Sequence, residues 1–214
     1  MEIRPLALDV SASAGKVSAE YIVPDNAKYI ISLAHGAGAG MNHSFMVALA
    51  KALAESGVAS LRFNFPFIEQ KKRRPDLPAI AHKTIEVAIN DIKNSYPKLP
   101  LYLSGKSFGG RMSSQFLAAH PDPAVKGIIF FGFPLHPAGK PSTDRAEHLN
   151  KVKVPMLFLQ GTKDELAAQE LIEQVSSSLE KATLIKLEGA DHAFKAGKQD
   201  LIPVLAKHAV DWMK

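Results

Sequence analysis

The most constraining feature of this chain is a regular alternation. Short, nearly all-apolar runs are separated by longer segments whose apolar residues recur at helical spacing. The runs are AKYIISLAH (27–35), VASLRFNF (58–65), LYLSG (101–105), VKGIIFFG (125–132), VPMLFLQG (154–161) and ATLIKLEG (182–189). The segments between and after them read as helices over 43–57, 77–96, 107–120, 164–180 and roughly 200–213. Stretches such as GIIFF and MLFL have no polar alternation, so as strands they need cover on both faces. Helices that separate successive strands make such a sheet mainly parallel, with helices on both sides. LALDV and KVSAEYIV, near the start, predict an antiparallel strand pair added at one edge. No repeat, linker or low-complexity tract interrupts the pattern, so the expected organisation is a single α/β domain over residues 1–214.

Composition excludes several function classes. With 46% hydrophobic and 22% charged residues the chain has the balance of a globular domain. The N-terminal MEIRPLALDV has no apolar h-region, and the longest apolar run, 127–135, is too short to span a bilayer. The absence of cysteine excludes disulfides, zinc-thiolate sites and a thiol nucleophile. The cytoplasm is the expected compartment, without membrane attachment. Net charge is +5, but its one dense cluster, Lys71-Lys72-Arg73-Arg74, runs straight into Pro75 between two regular segments. That pattern reads as a solvated loop, with an anion-attracting rim near a binding cleft as the alternative, and not as the aromatic-interleaved basic surface of a nucleic-acid binder.

In a mainly parallel sheet, ligands bind beyond the carboxyl ends of the strands. The loops to search are therefore HGAGAG, GKSFGG, GTKDE and GADHAF. Gly105-Lys106-Ser107 has two incompatible readings. A phosphate-binding loop needs glycine five positions earlier, so that successive N–H groups wrap a phosphate. That position is Pro100, which has no N–H, and the residues between are strand-like. The alternative is G-x-S-x-G, a tight strand-to-helix turn that exposes a nucleophilic serine. Here LYLSG enters, RMSSQFLAAH leaves, and Gly105, Gly109 and Gly110 surround Ser107.

A serine hydroxyl is a weak nucleophile until a base takes its proton. After such a turn the partners follow in the order acid, then histidine. Asp164 lies just past the strand ending at Gly161, and His192 just past the last strand. Asp164 has a competing reading as a helix N-cap, and Asp191 is the rival acid, although it adjoins the histidine. His43, His82, His120, His148 and His208 fall on helices or their flanks and read as surface or capping residues. Two N–H donors are needed for an oxyanion, and the candidates are the backbones of Phe108 and Ala37, with Gly38 second to Ala37. Lys106 and Arg111 flank the turn; solvent contact or a structural ion pair is the expectation for both, against attraction of a substrate carboxylate. Phe65, Phe67, Phe133 and Leu135 read equally as cleft lining or as core.

RFNFPF with EQKKRRPD, SGKSFGGRM, GTKDE and GADHAF together resemble the α/β-hydrolase superfamily over essentially the whole chain. The resemblance is strongest to the small dienelactone-hydrolase-like branch, to a family that includes a subunit of a nuclear histone-acetyltransferase complex. It implies a mostly parallel eight-stranded sheet, Ser107, Asp164 and His192 as a catalytic triad, and hydrolysis of ester-like bonds without a cofactor or metal. Two departures matter. The segment 133–153 is too short for a full cap domain, and the nucleophile is serine instead of cysteine. The expected activity is serine hydrolysis of small or medium carboxylic esters or thioesters. The alternatives are an interaction scaffold with a vestigial triad and an acyltransferase.

Overall fold

The computed structural model describes all residues, 1–214. Its strands are β1 (Glu2–Ser11), β2 (Gly15–Val23), β3 (Tyr29–Ala34), β4 (Val58–Phe63), β5 (Leu101–Lys106), β6 (Val125–Phe131), β7 (Met156–Gly161) and β8 (Ala182–Leu187). The helices are α1 (Ser44–Glu55), α2 (Pro66–Glu69), α3 (Pro78–Ser95), α4 (Phe108–Ala119), α5 (Gln169–Ser178) and α6 (Ile202–Met213), with a 3-10 segment at Asp144–Lys151. The strands form one eight-stranded sheet in the order β1-β2-β4-β3-β5-β6-β7-β8. β1 pairs with β2, and β2 with β4, in antiparallel fashion. The remaining neighbours are parallel. The edge hairpin and the mainly parallel sheet are as the apolar runs predict.

Strand alternation divides the core between the two faces. Ile30, Ile128, Phe130 and Phe158 face one side, where they pack with Ile85 and Ile89 of α3, Met112 and Phe116 of α4, and Ile172 of α5. Ile31, Ile129, Phe131 and Leu157 face the other, against Leu49 and Leu53 of α1 and Leu205 and Ala209 of α6. Consecutive strand residues thus belong to opposite cores, which is why these strands lack a polar face. Helix boundaries follow local chemistry. Pro78 occupies the first turn of α3, where its missing N–H costs nothing, and Pro97 follows the helix end.

Besides the short helix α2, which lies where no element was read, two elements depart from the sequence reading. α5 begins at Gln169 instead of 164, because residues 164–168 form turns held by the Asp164 side chain. The stretch 133–153, given no regular element from the sequence, contains the 3-10 segment, and its Ala146 and Leu149 are buried in the α4-side core. That packing leaves no separate cap over the sheet.

The parallel register aligns the strand ends. Ala34 is paired with Gly105, Lys106 with Phe131, Phe131 with Leu159, and Gly161 with Leu187. The loops that follow β3, β5, β6, β7 and β8 therefore emerge along one rim.

Candidate active site

Ser107 sits between β5 and α4 with φ 51° and ψ −115°. Only Lys71, Ser107 and Phe194 among non-glycine residues have positive φ. Such a conformation costs on the order of 1–3 kcal/mol and persists only where the surroundings over-determine it. Here they do. A Cβ on Gly105 would lie 2.3 Å from the Gly110 nitrogen, and one on Gly109 would lie 2.4 Å from the Ala34 carbonyl oxygen. Two bare Cα positions let α4 start directly against β3 and β5, and the serine takes the strained angles between them.

The loops after β7 and β8 are joined equally closely. A Cβ on Gly161 would lie 2.3 Å from the Ala190 carbonyl oxygen. Lys163 N–H donates to the Ala190 carbonyl at 2.9 Å, and Gly189 N–H to Thr162 Oγ1 at 2.8 Å. This contact brings Asp164 beside His192. His192 Nδ1 is 2.7 Å from Asp164 Oδ2, and His192 Nε2 is 2.9 Å from Ser107 Oγ. The carboxylate can only accept, so Nδ1 carries the proton and Nε2 offers its lone pair to the serine hydroxyl.

The Asp164 side chain is fully buried. It accepts from Leu166 N–H at 2.8 Å and from Gln160 Nε2 at 2.6 Å. Gln160 Oε1 in turn accepts from Phe133 N–H at 2.8 Å, which fixes the amide with its NH2 toward the carboxylate. Asp164 is thus no N-cap for α5. The rival Asp191 is occupied within its own turn, accepting from the N–H groups of Ala193 and Lys195 at 2.8 Å each.

Ala37 N–H donates no hydrogen bond within the protein, and Phe108 opens α4, where helix N–H groups have no intrahelical acceptor. Gly36 brings the loop after β3 to Ser107: a Cβ there would be 3.7 Å from Ser107 Cβ. Behind this loop His35 is fully buried. Its Nδ1–H donates to the Gly36 carbonyl at 2.7 Å, and its Nε2 accepts from Phe65 N–H at 2.9 Å. Burial, only partly opposed by the Gly36 bond, pulls His35 down to about 4, so it is neutral and structural.

A cavity of about 410 Å³ opens at Ser107. Its walls include Ala37, His43, Phe45, Met46, Leu166 and Ala193. Phe65, Phe67, Phe133 and Leu135 are instead fully buried and belong to the core. His43 caps α1, accepting from Phe45 N–H at 3.3 Å.

Lys106 departs from both of its expected settings. Its ammonium makes neither solvent contact alone nor an ion pair; it donates to the His192 carbonyl oxygen at 2.5 Å. It also lies 5.1 Å from the centre of the Phe194 ring. Burial pushes it down to about 8, against the opposing pull of Asp164 and Asp191. Arg111 likewise has no acidic partner, and its Nε is buried without an acceptor. His148 is partly buried, not on the surface, and bonds Ser114 Oγ through Nε2 at 2.7 Å. Lys71 to Arg74 are exposed, as read.

Sequence reasoning missed Gln160, the Lys106–His192 contact and the role of Gly161. A glutamine and a lysine ending otherwise apolar strands were the available signals.

Residues 27–203 match the family described as "Alpha/beta hydrolase domain". Solved structures with the same fold include an α/β serine hydrolase homologue from Coxiella burnetii, with TM-score 0.80 and 20% identity, covering 99% of this chain and 97% of that one. An α/β serine hydrolase without lid from Xanthomonas campestris has TM-score 0.76 and 23% identity over 99% and 95% of the two chains. A dienelactone hydrolase from Anabaena variabilis has TM-score 0.78 and 19% identity over 100% and 98%. Among curated proteins, a Mycobacterium tuberculosis protein provisionally named a phosphoribosyl transferase is 25% identical over 215 residues. The match takes in 98% of this chain and 46% of the relative, so the chain spans about half the length of the curated relative it matches.

Proposed function

We propose, from the premise that the chain belongs to the Alpha/beta hydrolase domain family, that it is a serine hydrolase of small or medium carboxylic esters or thioesters. Ser107, His192 and Asp164 are its triad, in one domain spanning the chain. The observation that carries this reading is the continuous relay from Asp164 Oδ2 through His192 to Ser107 Oγ, at 2.7 and 2.9 Å.

In this reading Ser107 Oγ attacks the acyl carbon while Nε2 of His192 takes the hydroxyl proton. Asp164 holds the tautomer and stabilises the imidazolium. The N–H groups of Phe108 and Ala37 bond the carbonyl oxygen as it becomes an oxyanion. His192 then gives its proton to the departing alcohol or thiol oxygen or sulfur, leaving an acyl-serine. Water, deprotonated by the same imidazole, attacks that ester; the acid leaves and Ser107 recovers its proton. The mostly apolar cavity of about 410 Å³ suits a short or medium acyl chain. The transferase name of the curated relative belongs to a protein about twice as long.

A panel of p-nitrophenyl esters of increasing acyl length tests the proposal. The expected result is turnover that peaks at short or medium chains and falls by at least about 10³-fold in Ser107→Ala. Turnover equal in the variant would refute it.

A further inference from the structure

We propose that Arg111 and Arg145 frame an oxyanion-binding subsite between α4 and the 3-10 segment, on the rim that carries Ser107. Arg111 lies one turn into α4, its N–H bonded to the Ser107 carbonyl at 3.1 Å. Helix side chains lean toward the N-terminus, which here is the nucleophile end. Arg145 reaches the same rim from the 3-10 segment, where its Nη1 bonds the carbonyl of Pro134, just past β6, at 3.4 Å.

Arg111 is half-buried, its Nε fully so and without an acceptor, and its guanidinium donates to no protein oxygen. Neither arginine pairs with a carboxylate. Burial and, secondarily, the charge of Arg145 hold Arg111 below its ordinary value. The nearby imidazole adds no further positive charge. His148 is pushed down to about 4 by burial, Arg111 and His82, so it stays neutral. A half-buried guanidinium within the field of a second one is unfavourable alone, because desolvation and like-charge repulsion act together. An oxyanion bonded by paired N–H donors offsets both costs, and arginine forks match carboxylate and phosphate geometry. The ligand is therefore a carboxylate or phosphate, carried by the ester substrate or free in solution.

Binding is read without turnover, so the test stands apart from the hydrolase reading. Wild type, Arg111→Met and Arg145→Met are melted in phosphate and in chloride of matched ionic strength. At about ten times its dissociation constant, phosphate raises the wild-type midpoint by about 3 °C over chloride, and by less than about 1 °C in either variant. An equal rise in all three proteins is a general salt effect and overturns the subsite, as does no rise in wild type with either phosphate or succinate. The source follows from kinetics on monoethyl succinate and ethyl butyrate. Phosphate raising KM only for the acidic ester assigns the subsite to the substrate. Phosphate binding that leaves both KM values unchanged assigns it to a free anion. Each result supports the subsite, and an inactive protein that still binds phosphate refutes the hydrolase reading alone.

Discussion

Replacing Lys106 by methionine, which keeps most of the side-chain volume and removes the ammonium, separates two consequences of its position. The lysine falls from its ordinary 10.5 to about 8 in the folded chain. At about 1.4 kcal/mol per pH unit, that difference amounts to about 3 kcal/mol by which folding disfavours the charged lysine. Below pH 8 both folded and unfolded chains hold the proton and the whole cost is present. Between 8 and 10.5 the unfolded chain binds more protons than the folded one, so wild-type stability rises with pH. Above 10.5 neither holds it and the cost is gone. The stability of Lys106→Met minus that of wild type therefore shrinks by about 3 kcal/mol between pH 7 and pH 11. Other titrating groups largely cancel in this comparison. Urea unfolding of both proteins at one-unit pH intervals measures it. A difference that stays flat across the range refutes the burial argument. Separately, loss of the bond to the His192 carbonyl frees the histidine loop, and kcat falls by about tenfold at pH 7 with KM little changed.

Gly109→Ala places a Cβ 2.4 Å from the Ala34 carbonyl and 2.6 Å from that of His35. Backbone must move, so the variant loses about 3 kcal/mol or more in urea unfolding, along with most of its activity. Ser107→Gly relieves the positive φ at the turn. It is expected to gain about 1 kcal/mol while losing turnover, which calorimetry and an ester assay check together.

The fold was legible because core-building strands advertise themselves: alternate residues of GIIFF and MLFL fill opposite cores. The candidate site was legible to the extent that it depends on chain order and turn chemistry. Ser107, Asp164 and His192 all lie in the loops where order alone located them, and the register explains why those loops share a rim. What the sequence hid was set by tertiary partners. Asp164 looked like the start of a helix because acidic residues often cap helices, but its carboxylate binds Leu166 N–H and Gln160, so α5 starts later. Lys106 looked solvated because lysines usually are, yet the loop after β8 folds over it. Phe65 and Phe67 lie near the rim in sequence but pack against His35 and Phe108 beneath it. The aromatic wall of the cavity is instead Phe45, at the start of α1, for which no local motif exists.

The central claim is that the imidazole of His192, held by Asp164, makes the Ser107 hydroxyl reactive. Labelling with a fluorophosphonate, followed by peptide mapping, tests it most directly. The predicted result is one label per chain, on Ser107, with rates at least about 10²-fold lower in His192→Ala and Asp164→Ala. A folded wild type that takes no label, or one labelled equally fast without His192, would contradict it.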